Sequence, residues 1–462
     1  MRKRCLLIQP PIEDLYITPI RLYPLGLLYA ATVLEKWGFE VRILDTLSPL
    51  KRKSIPLPAK FSYLQPYLGQ PFFFKHYQRF GLSMEKILTA IKGYSPDLIG
   101  LSSSFAAYYR QVEELIKTIK EYYSSPIIIG GNQATAARVE IKARTPEVDA
   151  VIPGQAEVNF SGYLKDRFGA VAEKDGGILG IDSGIDWKTI NPAHHLLSAA
   201  NYQIGGKNYI SLQASRGCPH YCSFCNIHLV FGRHIEYRKV ESILEEMRWN
   251  YLYRQVRIFN FEDDNLAFDQ NWLLEFLKAV VSDRILKGIE ITFMNGISYE
   301  NLQEEILCWM KRAGVRKLDL SWVSGEPSLR LRYHRPQKKS EAEFFTLLDI
   351  ARRMGFFITV YLILGLPGQT KEEIMATAEK LLEKNVLVGP SIFYLTPGCE
   401  LYRELEIPPE IKNDWDMYRS TAFAVETKEL KRRELIELFL YIRKKNIEKL
   451  GFRRSLKPSF NN

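Results

Sequence analysis

An α/β chain is expected: a Rossmann-like parallel sheet over residues 1–160, then a linker (161–207), six strand–helix steps (208–400) and a helical C-terminal region (401–462). Three observations predict this. Short apolar runs alternate with stretches of helical periodicity in both halves, the pattern of parallel strands joined by crossover helices. Turn-forming polar or Gly-rich segments follow the apolar runs, where such sheets bind ligands. Three cysteines crowd into one loop directly after the first strand of the second half.

In the first half, Cys5–Gln9 and Glu40–Leu44 read as strands around a helix at Pro24–Trp37. Helices at Met84–Lys92 and Gln111–Tyr123 then alternate with strands at Asp97–Ser102, Pro126–Ile129 and Val148–Ile152. The strand ends are Gln9-Pro10-Pro11, Ser102-Ser103-Ser104, Gly130-Gly131-Asn132-Gln133 and Gly154-Gln155-Ala156-Glu157. Residues 48–83 interrupt the sheet with Pro- and aromatic-rich sequence, expected to cap the domain or reach toward the second half, or to form a local core. Lys174-Asp-Gly-Gly-Ile178 and Asp182-Ser-Gly184 mark the linker.

In the second half the strands are Tyr209–Ala214, Val256–Phe261, Glu290–Met294, Lys317–Trp322, Phe357–Leu364 and Ser391–Leu395. Helices are expected at Val240–Tyr251, Trp272–Val281, Glu304–Ala313, Glu341–Met354 and Glu372–Glu383. Thr427–Leu450 reads as a basic amphipathic helix whose apolar side packs on the rest.

Composition narrows the function classes. Among 462 residues, 46% are hydrophobic and 25% charged, ordinary for a globular protein. No apolar stretch approaches the length of a membrane span, and the run after Met1 is too short for a signal peptide. Cys5, Cys308 and Cys399 are scattered, which argues against a disulfide framework and fits a reducing cytoplasm. The net charge of +10 permits an anionic partner, but Lys and Arg are spread along the chain, so nucleic acid is not the expected ligand.

The chemistry is concentrated in Cys218-Pro-His-Tyr-Cys222-Ser-Phe-Cys225. Thiolates are soft ligands suited to iron–sulfur clusters, zinc or copper(I). Three thiols at C-x3-C-x2-C spacing leave a four-iron cluster with one iron not held by protein. A zinc site with His220, His228 or His234 as fourth ligand is the alternative, and would suit a nucleic-acid-binding protein.

Arg216-Gly-Cys-Pro-His-Tyr-Cys-Ser-Phe-Cys225, with Phe224 before the last thiol, resembles the cluster loop of radical S-adenosylmethionine (SAM) enzymes. The first half is similar to the cobalamin-binding domain preceding many of them, in Pro24-Leu-Gly-Leu, Gly38-Phe-Glu-Val, Pro96-Asp-Leu-Ile-Gly-Leu-Ser102, Gly130-Gly131 and Val148-Asp-Ala-Val-Ile-Pro-Gly154. The alternative for that half is a plain α/β domain whose glycines only make turns. The resemblance implies a partial (β/α)6 barrel, a [4Fe-4S] cluster on Cys218, Cys222 and Cys225, SAM on its open iron, and an external electron donor such as flavodoxin or ferredoxin. It implies SAM contacts from Phe224, Arg238, Glu262, Asp263, Asp264, Ser324 and Gly365. It implies cobalamin contacts from Gln9, Pro10, Ser102, Ser103, Ser104, Gly130, Gly131, Gln133, Gly154 and Glu157. The Asp-x-His-x-x-Gly loop that supplies a cobalt ligand in many such domains is absent, so cobalamin would bind without it.

Three departures mark the barrel half. Val323 stands where relatives carry glutamate, Gln369 replaces glutamate in Gly365-Leu-Pro-Gly-Gln-Thr370, and Cys399 replaces threonine. Cys399 is expected to pack. The implied activity is methylation of an unactivated carbon of a small-molecule or lipid-like substrate, by way of a 5′-deoxyadenosyl radical and methylcobalamin. The alternative is a radical rearrangement, cyclisation or ring contraction without methylation.

Overall fold

A computed structural model describes residues 2–18, 22–169, 173–174, 177–178 and 185–455. Asp182-Ser-Gly184 of the expected linker lies outside them.

Five parallel strands form the first sheet: β1 (Arg4–Gln9), β2 (Glu40–Asp45), β3 (Leu98–Ser102), β4 (Ile127–Gly130) and β5 (Ala150–Ile152), in the order β2-β1-β3-β4-β5. Alternation places Leu6, Ile8, Ile99 and Leu101 in one apolar layer and Cys5, Leu7 and Leu98 in the other. Helices α1 (Leu25–Lys36), α2 (Met84–Tyr94), α3 (Tyr109–Tyr122) and α4 (Ala156–Phe168) cover the two faces. The chain winds from β1 outward to β2, then crosses back to β3, so β1 and β3 flank the switch point where open α/β sheets bind ligands. The first unit runs past residue 160 to Phe168, because Phe160 and Leu164 of α4 pack with Leu27 and Ala31 of α1.

Six strands make the second unit: β6 (Lys207–Leu212), β7 (Val256–Phe261), β8 (Glu290–Thr292), β9 (Lys317–Val323), β10 (Phe357–Leu364) and β11 (Leu387–Ile392). They are parallel and neighbours in chain order, β6-β7-β8 continuing into β9-β10-β11 through bridges Ile291–Val315 and Ile297–Leu320. Five crossover helices surround this partial barrel: α5 (Val240–Arg254), α6 (Gln270–Ser282), α7 (Glu304–Arg312), α8 (Glu341–Arg353) and α9 (Lys371–Glu383). Local signals set their starts: Ser340 and Glu343 form a capping box on α8, and the Thr370 side chain caps α9.

The last strand differs from expectation. It spans Leu387–Ile392 rather than Ser391–Leu395, and contains Gly389-Pro390. Proline is tolerated on an edge strand, and Gly389 makes room for the Tyr361 ring, which a Cβ there would meet at 2.4 Å.

Residues 48–83 reach the barrel side. Gln78–Phe80 pairs antiparallel with both Ile12–Asp14 and Arg52–Ser54. The rings of Phe73 and Phe74 lie 6.0 and 5.5 Å from Phe439 of the final helix α10 (Arg432–Ser455), inside the barrel core rather than in a core of their own. That helix buries Leu435, Ile436, Phe439 and Ile442. Among the described residues, no helix is long and apolar enough to cross a membrane.

Candidate active-site cleft between the two units

The carboxyl ends of β1, β3, β4 and β5 face the end of β7 and the residues flanking the cysteine loop across one cleft. Gln9, Pro10, Ser102, Ser103, Ser104, Gly130, Gly131, Gly154 and Glu157 all line it, as the strand-end reading expects. Gln133 does not: it is buried, and its backbone N–H donates to the Ser103 carbonyl at 3.1 Å.

The loops on the sheet side are tightly apposed. Gly131 has φ +118°, and a Cβ there would lie 2.6 Å from the Ser103 carbonyl oxygen, so only glycine lets the β3 and β4 loops meet. Gly26 lines the cleft as well, and a Cβ on it would touch nothing within 4 Å. The hydroxyls of Tyr29 and Ser103, both cleft residues, are buried without a hydrogen-bond partner. A bare glycine surface, open volume and two unsatisfied hydroxyls fit a large flat group rimmed with amides, as cobalamin is.

On the barrel side the three thiols do not line the cleft themselves: Cys222 is buried and Cys218 and Cys225 are half-buried. Burial pushes the Cys218 thiol up and that of Cys225 to about 12, so ionisation at neutral pH calls for a metal in place of the proton. The thiols lie close enough to feel one another's charge. Among the described residues no three His, Cys, Asp or Glu side chains converge on a single ion. Protein groups pin the loop. Asn265 Nδ2 donates to Cys218 Sγ at 3.6 Å, and the Ser223 N–H donates to the Tyr333 carbonyl at 3.2 Å. Gly217 (φ +87°) brings the loop so near His234 that a Cβ would sit 2.2 Å from its carbonyl oxygen.

The three consecutive carboxylates after β7 divide between two environments. Glu262 and Asp264 line the cleft. Glu262 accepts from Ser211 Oγ at 2.6 Å, and Asp264 accepts from the Gly217 N–H at 3.1 Å. Asp263 points the other way, correcting the expectation of a SAM contact: its buried carboxylate accepts from the Ser215 N–H, the Ser215 hydroxyl (2.6 Å) and the Ala214 N–H (3.2 Å). Burial raises its pKa to about 7.

Arg238 also departs from expectation. Its guanidinium is enclosed, bonding Glu246 at 2.5 Å, Asn191 at 2.6 Å and the Gln213 carbonyl at 3.2 Å. Glu246 also contacts His194 Nε2 at 2.9 Å, and His194 Nδ1 lies 2.6 Å from the Tyr23 hydroxyl. Burial works against the Glu246 charge, but Arg238 and His194 outweigh it and the pKa falls. Burial lowers that of His194, so a neutral ring donates from Nε2 to Glu246 and accepts from Tyr23 at Nδ1. Ser324 follows a strand irregularity at Val323, a β-branched residue at φ +73°, and donates to Glu373 of α9 at 2.7 Å instead of facing the cleft. Gly365 abuts Leu435 of α10, and the Gln369 side chain accepts from the Gly365 and Leu366 N–H groups at 2.9 Å each. Phe224 packs near Tyr333, ring centroids 6.4 Å apart, outside the cleft lining. Cys399 is buried and caps a short helix through a 3.4 Å bond from the Tyr402 N–H.

Sequence reasoning assigned no role to Arg216. It lines the cleft, nearly buried, between the rings of Tyr29 and Trp187 at 4.4 Å each, and pairs with Glu157 at 2.8 Å. The only local signal was its place two residues before Cys218.

Residues 212–381 match the model of the Radical SAM superfamily, and residues 63–164 match that of the B12 binding domain. The chain is a radical SAM enzyme that carries a B12-binding domain, the cobalamin-dependent class. It is 25% identical over 457 residues to cytidylyl-2-hydroxyethylphosphonate methyltransferase of Streptomyces wedmorensis, covering 86% of this chain and 80% of that one. The radical SAM methyltransferase TsrM from Kitasatospora setae, with cobalamin and [4Fe-4S] cluster bound, shares the fold at TM-score 0.62 and 16% identity, over 87% of this chain and 74% of that one. The cobalamin-dependent SAM radical enzyme OxsB, with aqua-cobalamin and SAM bound, superposes at TM-score 0.59 and 14% identity, over 98% of this chain and 61% of that one.

Proposed function

We infer that the chain methylates an unactivated carbon of a small-molecule substrate. One observation carries this reading: a single cleft is walled by the B12-binding loops on one side and, on the other, by Arg216, Ile227, Val230 and Phe231, which flank the cluster loop. When bound, the cluster and SAM supply a 5′-deoxyadenosyl radical for hydrogen abstraction, and the corrin supplies a methyl group.

The protein's share is placement. Cys218, Cys222 and Cys225 hold the cluster, and the Asn265 N–H directed at the Cys218 sulfur stabilises thiolate charge. Gly26 and Gly131 allow close approach of the corrin, with Tyr29 and Ser103 offering buried hydroxyls to its amides. Glu262 and Asp264 are placed to receive the SAM ammonium. Below Glu262, Ser211, Asn260 and Thr292 on three consecutive strands form a hydrogen-bonded polar layer, where barrel interiors are usually filled by branched apolar side chains. This layer favours a polar substrate over a hydrocarbon one. Reduction of the cluster would come from a low-potential one-electron donor of the flavodoxin or ferredoxin kind, in a reducing compartment such as the cytoplasm that keeps Cys5, Cys308 and Cys399 free.

The test is to incubate the reduced, reconstituted protein with SAM and separate the products. A methyltransferase of this design yields both 5′-deoxyadenosine and S-adenosylhomocysteine. Formation of 5′-deoxyadenosine alone, with corrin present, would instead support a non-methylating radical reaction.

A further inference from the structure

Arg216 reaches in two directions at once. Its backbone belongs to the segment that launches the cluster loop, and its guanidinium belongs to the wall of the B12-binding unit. Nη2 bonds Glu157 Oε1 at 2.8 Å and Nη1 bonds Gln155 Oε1 at 2.8 Å, both in the loop and helix start after β5. Nε bonds Gln213 Oε1 at 3.1 Å, which squares the guanidinium against the residues just before it in the chain. Tyr29 of α1 and Trp187 of the connecting segment lie over the same guanidinium, and the Phe231 ring stands 5.5 Å away.

The segment bearing Arg216 is fixed from behind. Asp263 holds Ala214 and Ser215, Asp264 holds the Gly217 N–H, and the Ser215–Arg216 strand pairs with Glu236–Tyr237. Each of the three guanidinium nitrogens of Arg216 therefore serves an anchor on one side or the other of the cleft, and Cys218 follows two residues later. A planar fork with donors in fixed directions transmits position as well as charge, which a lysine ammonium does not.

We propose that Arg216 is a positioning residue that locks the loop after β5 to the cluster loop and so sets the spacing and mutual orientation of corrin and cluster. The proposal rests on the reading that both groups bind in this cleft. It assigns Arg216 no contact with the reacting atoms. Glu157 and Gln155 act as the B12-side half of the lock, and Glu157 is thereby a strut rather than a corrin ligand.

Corrin in the cob(II) state and the singly reduced cluster are both paramagnetic, so their separation can be read by pulsed dipolar EPR on the full chain loaded with hydroxocobalamin, iron and sulfide and then reduced. The wild type is expected to give one narrow distance. Arg216→Gln should retain its iron and corrin content but show a shifted or broadened distance, and Glu157→Gln should reproduce the change without adding to it in the double variant. Arg216→Lys, which keeps the charge and loses the fork, should fold even if Arg216→Gln does not, and should broaden the distance to a lesser extent. An unchanged narrow distance in Arg216→Lys and in whichever of the other variants load both groups would overturn the proposal. A wild type that takes up cluster but no corrin would overturn the two-cofactor reading itself, and the lock with it.

Discussion

Replacing Arg238 by Met tests whether this arginine serves the ligand or the scaffold. Both Arg238 and Glu246 have fully buried side chains at 2.5 Å, so the substitution leaves a carboxylate enclosed without its principal counter-charge. Breaking such a pair costs about 3–5 kcal/mol, most of it the penalty of the abandoned charge. Loss of the 2.6 Å bond to Asn191 also removes one of the ties between the connecting segment and the barrel. His194 then faces Glu246 without the neighbouring guanidinium that disfavours its protonation, and its folded pKa rises. Burial still holds that pKa below the unfolded value of about 6.5, so the histidine costs stability as pH falls below about 6.5, and the cost is smaller in the variant than in the parent. The gap in stability between variant and parent should therefore narrow on acidification. Anaerobic urea unfolding at several pH values gives the stability, and equilibrium dialysis of labelled SAM against the reconstituted protein gives affinity. The expected result is a destabilised protein with near-parental SAM affinity. Parental stability with SAM binding weakened tenfold or more would refute the assignment.

Three further outcomes are expected. Gly131→Ala should weaken hydroxocobalamin binding about tenfold or more, read by absorbance titration, because its Cβ would strike the Ser103 carbonyl, while iron content stays unchanged. Gly217→Ala should do the reverse, lowering iron and sulfide per chain while the separate B12-binding sheet stays intact in circular dichroism, since the new Cβ collides with the His234 backbone. Asp263 has its folded pKa raised to about 7 by burial, so its contribution is full below the unfolded value of about 4 and is lost as pH rises through about 7. Asp263→Asn retains an acceptor oxygen for Ser215, and should flatten that part of the stability–pH curve, worth a few kcal/mol at most by about 1.4 kcal/mol per pH unit.

Legibility in the sequence followed locality. The cysteine loop could be read outright because its ligands lie within eight residues, and the strand ends of the first unit were placed because each closes an apolar run at a turn. Arg238 was misplaced because its partners, Glu246 and Asn191, lie on a helix and on the connecting segment, and no spacing rule links them. Arg216 stayed without a role for the same reason: Gln155 and Glu157 are 61 and 59 residues upstream. The division among Glu262, Asp263 and Asp264 was not readable, since all three lie beyond the end of β7 and Asp263 is turned away by its bonds to Ala214 and Ser215. Pro390 hid the start of β11, because proline argues against a strand unless the edge position is already known. The aromatics of the insertion gave no direction by themselves. Their burial against Phe439 depends on a helix more than 350 residues away in sequence.

The central claim is that this one chain joins a corrin and a cluster across a common cleft. Anaerobic reconstitution with iron, sulfide and hydroxocobalamin, followed by quantification of iron, sulfide, zinc and retained corrin, tests it most directly. About four irons per chain and one corrin are expected, the iron lost and the corrin kept when Cys218, Cys222 and Cys225 are replaced by Ala. Zinc as the sole bound metal, with neither cluster nor corrin under any loading condition, would contradict the account.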